Sequence, residues 1–395
     1  MGFFIPKESI QHLKEYKYNS EDRSILTKYV LKSFWIKFEK IFPLSMAPNM
    51  VTLLGLVFIL LGDIVVFYYD PNFDTPSPNW CYFFYAFCLF MYQTFDACDG
   101  IHARRTGQSG PLGELFDHCC DAINTTLSCI LFASTVGLGN SWLTIVSQFS
   151  VLANFYLSTW ETFFTHKLYL SEFSGPVEGI LIMILLFLIT GFKSTSWWKF
   201  VLFNLDFTSL NLKQFDYFDS NIISIRVLDF NIVFGAVILY FNIHSAKRNV
   251  DLLIKDVKTH SKAMKGLIPF FGYYLSIFVT LLIHKDMVEK YVLPTILTIG
   301  STFAFVVGRI IVNHLTKQEF PFWNLPMFLP ILQNLLIFVL TFFFKYDYDL
   351  VLSGTVYTSL GLTLGIHTMF ITEIIYEITT YLDIYALTIK HAKVN

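Results

Sequence analysis

Apolar residues run through this chain in long blocks separated by short polar joints. A helix needs about 20 consecutive apolar residues to cross the hydrocarbon core of a bilayer. Windows of that size pick out ten segments, at roughly 49–69, 79–103, 111–136, 141–165, 175–192, 224–244, 267–284, 290–314, 325–344 and 349–378. The pattern predicts an all-α fold, a polytopic transmembrane helix bundle of about ten spans, with no sizeable soluble domain left over. Residues 1–48 differ. There Phe34, Trp35, Phe38 and Phe42 fall among lysines, as in an amphipathic N-terminal helix lying at a membrane interface. The first long apolar run begins only near Asn49, so it reads as an uncleaved span and not as a signal peptide.

Composition sharpens this picture. The 395 residues are 54% hydrophobic, 18% aromatic and only 15% charged, where a soluble protein carries roughly 25% charged residues. Much of this surface is therefore expected to face lipid. A net charge of −2 leaves no basic field for nucleic acid. Cys81, Cys88, Cys98, Cys119, Cys120 and Cys129 lie in apolar segments without zinc-finger spacing and read as small buried hydrophobes.

Basic residues in short loops set orientation. Eight Lys/Arg precede the first span, Arg104 and Arg105 follow the second, and Lys247, Arg248, Lys255, Lys258, Lys262 and Lys265 crowd the 245–266 loop. The joints at 70–78 and 137–141 have none. Both termini and the 104–110 turn are thus expected in the cytosol. The longer 193–221 loop, with Lys193, Lys199 and Lys213, fits this rule less well.

Candidate chemistry is concentrated between Phe95 and Ala122, in FDACDGIHARRTGQSGPLGELFDHCCDA. Asp96, Asp99, Gly100 and Ala103 fall at i, i+3, i+4 and i+7, one face of a helix. Pro111 suits the first position of the next helix, along which Gly113, Asp117 and Asp121 recur every fourth residue. Two antiparallel helices joined by a tight turn can turn these faces toward each other. Four carboxylates gathered at bilayer depth cannot all stay ionised unaided. They bind protons, or cations neutralise them. Oxygen-only donors favour hard cations such as magnesium or manganese over zinc, and two metals bridging a phosphate are the simplest solution. Gly100, Ala103 and Gly113 remove bulk where a nucleotide must approach, although plain helix packing also uses small residues. Arg104 can clamp phosphate oxygens, or, like Arg105, serve as a topogenic charge.

The pattern Asp96-x2-Asp99-Gly100-x2-Ala103-Arg104-x8-Gly113-x3-Asp117-x3-Asp121 matches the signature of the CDP-alcohol phosphotransferase family at every defined position. Within that family the chain resembles the choline and ethanolamine phosphotransferases, the fungal ones above all. The closer likeness runs through LKEYKYNSEDRS, MAPNMVTLLG, PLGELFDH, YLSTWE, SGPVEGIL and YLDIYAL. The resemblance implies transfer of phosphocholine or phosphoethanolamine from CDP-choline or CDP-ethanolamine to diacylglycerol. It implies that Asp96, Asp99, Asp117 and Asp121 hold two Mg2+ ions, with Gly100, Ala103, Arg104 and Gly113 around the CDP moiety. It further implies an endoplasmic reticulum or Golgi enzyme acting as a homodimer. A catalytic core at 49–244 would then follow the N-terminal segment 1–48, and C-terminal helices at 245–395 would serve the lipid pocket or dimer contacts.

The reaction needs a base for the acceptor hydroxyl. Histidine ordinarily titrates near neutral pH, which makes His118 the candidate, with Glu114 one turn earlier to orient it or share the proton. Asn49, at the start of the first span, can touch the nucleotide or cap the helix. Trp160 and Glu161 could hold a cationic head group. Arg309, His314, His367, Glu373 and Glu377 are intramembrane ionisable groups that should face a cavity or one another. Two rivals remain: a phosphatidyltransferase using CDP-diacylglycerol, and a cation transporter with the aspartates as an ion relay. The transporter reading leaves the spacing of Gly100, Ala103, Arg104 and Gly113 unexplained.

Overall fold

The computed structural model describes residues 2–170, 175–207 and 221–391. Lys213 lies outside them. A 3-10 turn at Ile10–Glu15 and strand β1 (Ser20–Asp22) precede a short helix α1 (Lys32–Phe38). The long helices α2 (Pro48–Tyr69), α3 (Asn79–Thr106), α4 (Pro111–Val136) and α5 (Trp142–Thr165) follow. After strand β2 (Leu168–Leu170) come α6 (Pro176–Lys193), a hairpin of β3 (Val201–Asp206) and β4 (Ile222–Arg226), and α7 (Val227–Leu253). The chain continues through α8 (Val257–Lys265), α9 (Ile268–Ile283), α10 (Asp286–Lys290) and α11 (Val292–Leu315) to α12 (Leu329–Phe338) and α13 (Tyr348–Leu382).

Every one of the ten predicted windows holds a helix. Among the described residues, eight segments are long and apolar enough to cross a membrane. Helices α3 and α5 are long enough, at 28 and 24 residues, but fall short on hydropathy. In α3 the deficit comes from tyrosines packed inside the bundle and from the polar residues of its last third. Arg104 and Arg105 lie in the last turn of α3 and not in the turn beyond it, because the helix runs on to Thr106 before Gly107 takes a left-handed conformation (φ 69°). The two small sheets, β1 beside β2 in parallel and β3 against β4, were not foreseen.

The core lies where α2, α3, α4, α5 and α11 meet, filled by fully buried Tyr82, Tyr85, Tyr92, Tyr156 and Trp160. Helix α11 packs on α4, α5 and α13, and small residues allow that approach, as in other membrane bundles. A Cβ at Gly300 would sit 2.4 Å from Thr126 Oγ1, and one at Gly308 would sit 2.6 Å from a Phe370 ring carbon. Gly300→Ala is therefore expected to cost about 1–3 kcal/mol by overpacking. The readout is a lower thermal midpoint of the purified protein in detergent; an unchanged midpoint would mean that α11 and α4 do not pack this closely.

The amphipathic N-terminal helix is more deeply seated than an interfacial position requires. Trp35 and Phe42 are buried with Val51, Phe95 and Cys98, between α2 and α3. Buried Glu39 accepts from Arg105 Nη1 at 2.6 Å and pairs with His102 Nδ1 at 2.7 Å. Arg105 thereby ties the N-terminal segment to the end of α3.

Candidate functional site

The turn between α3 and α4 is four residues long, Gly107 to Gly110. Its tightness comes from Gly107 in the left-handed region and from the Gln108 N–H, which bonds back to Ala103 O at 2.8 Å. Pro111 then opens α4 at its first position. This reverses the chain so that the acidic faces meet. Carboxylate oxygens of Asp96, Asp99 and Asp117 lie within 4.8 Å of one another and could hold a metal ion. Asp121, one turn further along α4, lies against Asp96. Thr52 of α2 donates to Asp99, and Tyr92 of α3 donates to Asp121. Asp117 Oδ1 is buried with no hydrogen-bond partner among the described residues. A buried carboxylate oxygen left without a donor is costly, and a hard cation would satisfy it. The donor set consists of oxygens throughout, so residues and cation match.

Around this cluster the backbone is bare. A Cβ at Gly113 would meet nothing nearer than Asn49 Oδ1 at 3.9 Å, and one at Gly100 only Arg104 Nη1 at 3.6 Å. Both glycines border open space, and the exposed Arg104 folds back over Gly100 while Ala103 is half-buried on the same face. Asn49 is buried, and its Nδ2 donates to Ala386 O at 2.9 Å. A loop near the C-terminal end therefore holds the amide of Asn49, leaving Oδ1 on the Gly113 side.

A cavity of about 670 Å³ opens beside the cluster, lined by His118, Glu114, Tyr16, Phe163, His166 and His314 among others. Its size suits an organic ligand. His118 makes no hydrogen bond among the described residues. Glu114, read from the sequence as orienting His118 or sharing its proton, makes no hydrogen bond to it. Tyr16 donates to Glu114 Oε2 at 2.5 Å instead, because the N-terminal segment crosses the cavity at that point. Burial and the facing Glu114 carboxylate push the Tyr16 phenol above its ordinary range, so it stays a donor. Thr52, Tyr92 and Tyr16 were missed by sequence reasoning. A neutral hydroxyl in an apolar helix or a mixed segment carries no periodic signal of its own.

A family profile described as CDP-alcohol phosphatidyltransferase matches residues 45–208. Full-length similarity extends beyond that profile. The chain is 49% identical to cholinephosphotransferase 1 of Saccharomyces cerevisiae, over the whole of both chains. The chain belongs to the CDP-alcohol phosphatidyltransferase family. It is also 47% identical to choline/ethanolaminephosphotransferase 1 of the same yeast, again across the whole of both chains. Choline/ethanolaminephosphotransferase 2 of Arabidopsis thaliana is 34% identical, over 98% of this chain and 99% of the relative.

Several other ionisable and aromatic groups of this CDP-alcohol phosphatidyltransferase family member are engaged elsewhere. Trp160 is fully buried and donates to Ala263 O at 2.7 Å, and Glu161 accepts from Asn249 of α7 at 2.7 Å. Neither is free for a head group; they fasten α5 to α7 and α8. Arg309 donates to Trp323 O and Asn324 Oδ1, both at 2.9 Å. Glu373 accepts from the backbone of Phe3 and Phe4, so it anchors the start of the chain. Glu377 lies against Gly2. His314 does face a cavity, with its Nε2 3.1 Å from His166 Nδ1. His367 is buried with neither ring nitrogen partnered among the described residues.

Proposed function

We propose that the protein is a diacylglycerol choline/ethanolamine phosphotransferase. It moves phosphocholine or phosphoethanolamine from the CDP ester to 1,2-diacylglycerol, forming phosphatidylcholine or phosphatidylethanolamine and CMP. The observation that carries the reading is the meeting of carboxylates from two antiparallel helices at one point, one buried oxygen of Asp117 lacking a partner among the described residues. The full-length similarity to a cholinephosphotransferase and a choline/ethanolaminephosphotransferase supports the substrates.

Asp96, Asp99, Asp117 and Asp121 would hold two magnesium ions, with manganese as a substitute. Bound there, the ions supply charge neutralisation for the diphosphate and its leaving group. The remaining work belongs to the chain. Gly100 and Gly113 leave room for the nucleotide to approach the backbone, while Ala103 keeps bulk off the same face. Arg104 pairs with phosphate oxygens, and Asn49, held by Ala386, presents its Oδ1 to the nucleotide. His118 takes the hydroxyl proton of diacylglycerol as that oxygen attacks the phosphorus carrying the head group, and CMP departs with the electrons of the broken P–O bond. Glu114, in the same cavity, stabilises the cation that His118 becomes.

In this reading residues 49–244 form the catalytic core. The helices of 245–395 serve the lipid pocket or dimer contacts, and His314 brings that part of the chain to the cavity wall. The site faces the cytosol of an endoplasmic reticulum or Golgi membrane, and the enzyme works as a homodimer; loop charge supports the orientation, family resemblance the rest.

The test is purified full-length protein in mixed micelles containing diacylglycerol, assayed side by side with CDP-choline and CDP-ethanolamine. Magnesium-dependent release of CMP with matching phospholipid is expected, and chelation should abolish it. Turnover confined to CDP-diacylglycerol with a free alcohol would replace this reading with that of a phosphatidyltransferase.

A further inference from the structure

The N-terminal segment forms a strap across the mouth of the cavity. On one side the turn Ile10–Glu15 packs on α13, and Glu15 pairs with Lys317 beyond α11. On the other, β1 lies parallel to β2, with Ser20 opposite Leu168 and Glu21 opposite Tyr169. Lys167 Nζ meets Glu21 Oε2 at 2.5 Å, and Asn19 Nδ2 donates to His166 O at 3.1 Å. Between these anchors the chain crosses the cavity, where Tyr16 reaches down to Glu114 Oε2. Glu114 lies one turn before His118 on α4, and no other described residue hydrogen-bonds its carboxylate. A glutamate without a partner samples several rotamers. One held by a half-buried phenol presents its charge at a set place.

We propose that Tyr16 is a positioning residue for the transfer reaction: its hydroxyl fixes the Glu114 carboxylate relative to His118, so the base is correctly surrounded only when the strap lies across the cavity. This rests on the assignment of proton transfer to His118 and Glu114 made above. In that role Tyr16 acts through Glu114 and not on the reacting hydroxyl or the phosphorus. Partners that orient a functional side chain commonly matter 10–100-fold.

The experiment uses the full-length protein in diacylglycerol micelles with magnesium. Tyr16→Phe keeps the ring and removes one oxygen. Its kcat is expected to fall roughly tenfold, with KM for the CDP-alcohol changed by less than about twofold. Merely structural loosening would not produce that split. In a Glu114→Gln background, already slow, Tyr16→Phe should cause no further fall, because its effect passes through Glu114. Normal kcat in Tyr16→Phe, a rise confined to KM, or an equal fall in both backgrounds overturns the inference while leaving the acid–base reading intact. Normal turnover in Glu114→Gln alone removes both. Should Tyr16→Phe fail to fold, the double variant Lys167→Gln/Lys317→Gln tests the same point by releasing two strap tethers, one at a half-buried and one at an exposed lysine. Its kcat is expected to drop roughly threefold, and an unchanged kcat overturns the proposal.

Discussion

Asp117→Asn is expected to lower turnover by roughly a thousandfold or more while leaving the fold as stable as before. The substitution keeps the shape of the side chain and removes one anionic oxygen from a cluster whose members lie within 4.8 Å of one another. Cations held by this cluster would supply several kcal/mol of transition-state charge stabilisation, and each 1.36 kcal/mol corresponds to a factor of ten in rate. The stability half of the expectation follows from repulsion. In the protein without cations, one fewer like charge relieves the cluster, so the thermal midpoint in chelator should hold steady or rise. Magnesium should raise the midpoint of the unsubstituted protein more than that of the variant. Near-normal CMP release from Asp117→Asn would remove the cluster from the chemistry. A collapse of the midpoint would instead assign Asp117 a role in holding α3 to α4.

The second large effect is at His118. His118→Ala is expected to slow phospholipid formation by about 10²–10⁴-fold, the usual contribution of a positioned general base, with binding of the CDP-alcohol retained. The contrast between the two readouts matters. His118 lines the cavity but makes no hydrogen bond among the described residues, so truncating it breaks no contact that supports the bundle. Equilibrium binding of labelled CDP-choline together with single-turnover transfer separates the steps. If the variant kept near-normal turnover, the proton would leave by another route and Glu114 would become the leading alternative.

Much of the architecture was legible along the chain, for reasons visible in particular residues. Lipid offers the backbone no hydrogen bonds, so each long apolar run had to become a helix, and Pro48, Pro111 and Pro176 mark the first positions of α2, α4 and α6. The acidic cluster was legible because i, i+3 and i+4 spacing on two neighbouring helices leaves few other arrangements once a four-residue turn joins them. Trp160 and Glu161 misled, since an aromatic beside a carboxylate looks the same whether it awaits a cation or already satisfies Ala263 and Asn249. Arg104 and Arg105 shared the topogenic reading in sequence, with only Arg104 in the signature; Arg104 folds over Gly100 and Arg105 is claimed by Glu39.

By itself the sequence determined the all-α character of the chain, the placement of its long apolar windows on helices and the pairing of two acidic helix faces. Periodicity and hydropathy act locally, within one helix or across one tight turn, and they need no knowledge of distant residues. Only the tertiary structure decided that Tyr16 reaches Glu114, that Ala386 holds Asn49, and that His314 reaches the same cavity as His118. Those contacts join residues 98 and 337 positions apart in the first two cases. A hydroxyl or a carbonyl so far along the chain carries no mark of its partner until packing brings the two within hydrogen-bonding reach.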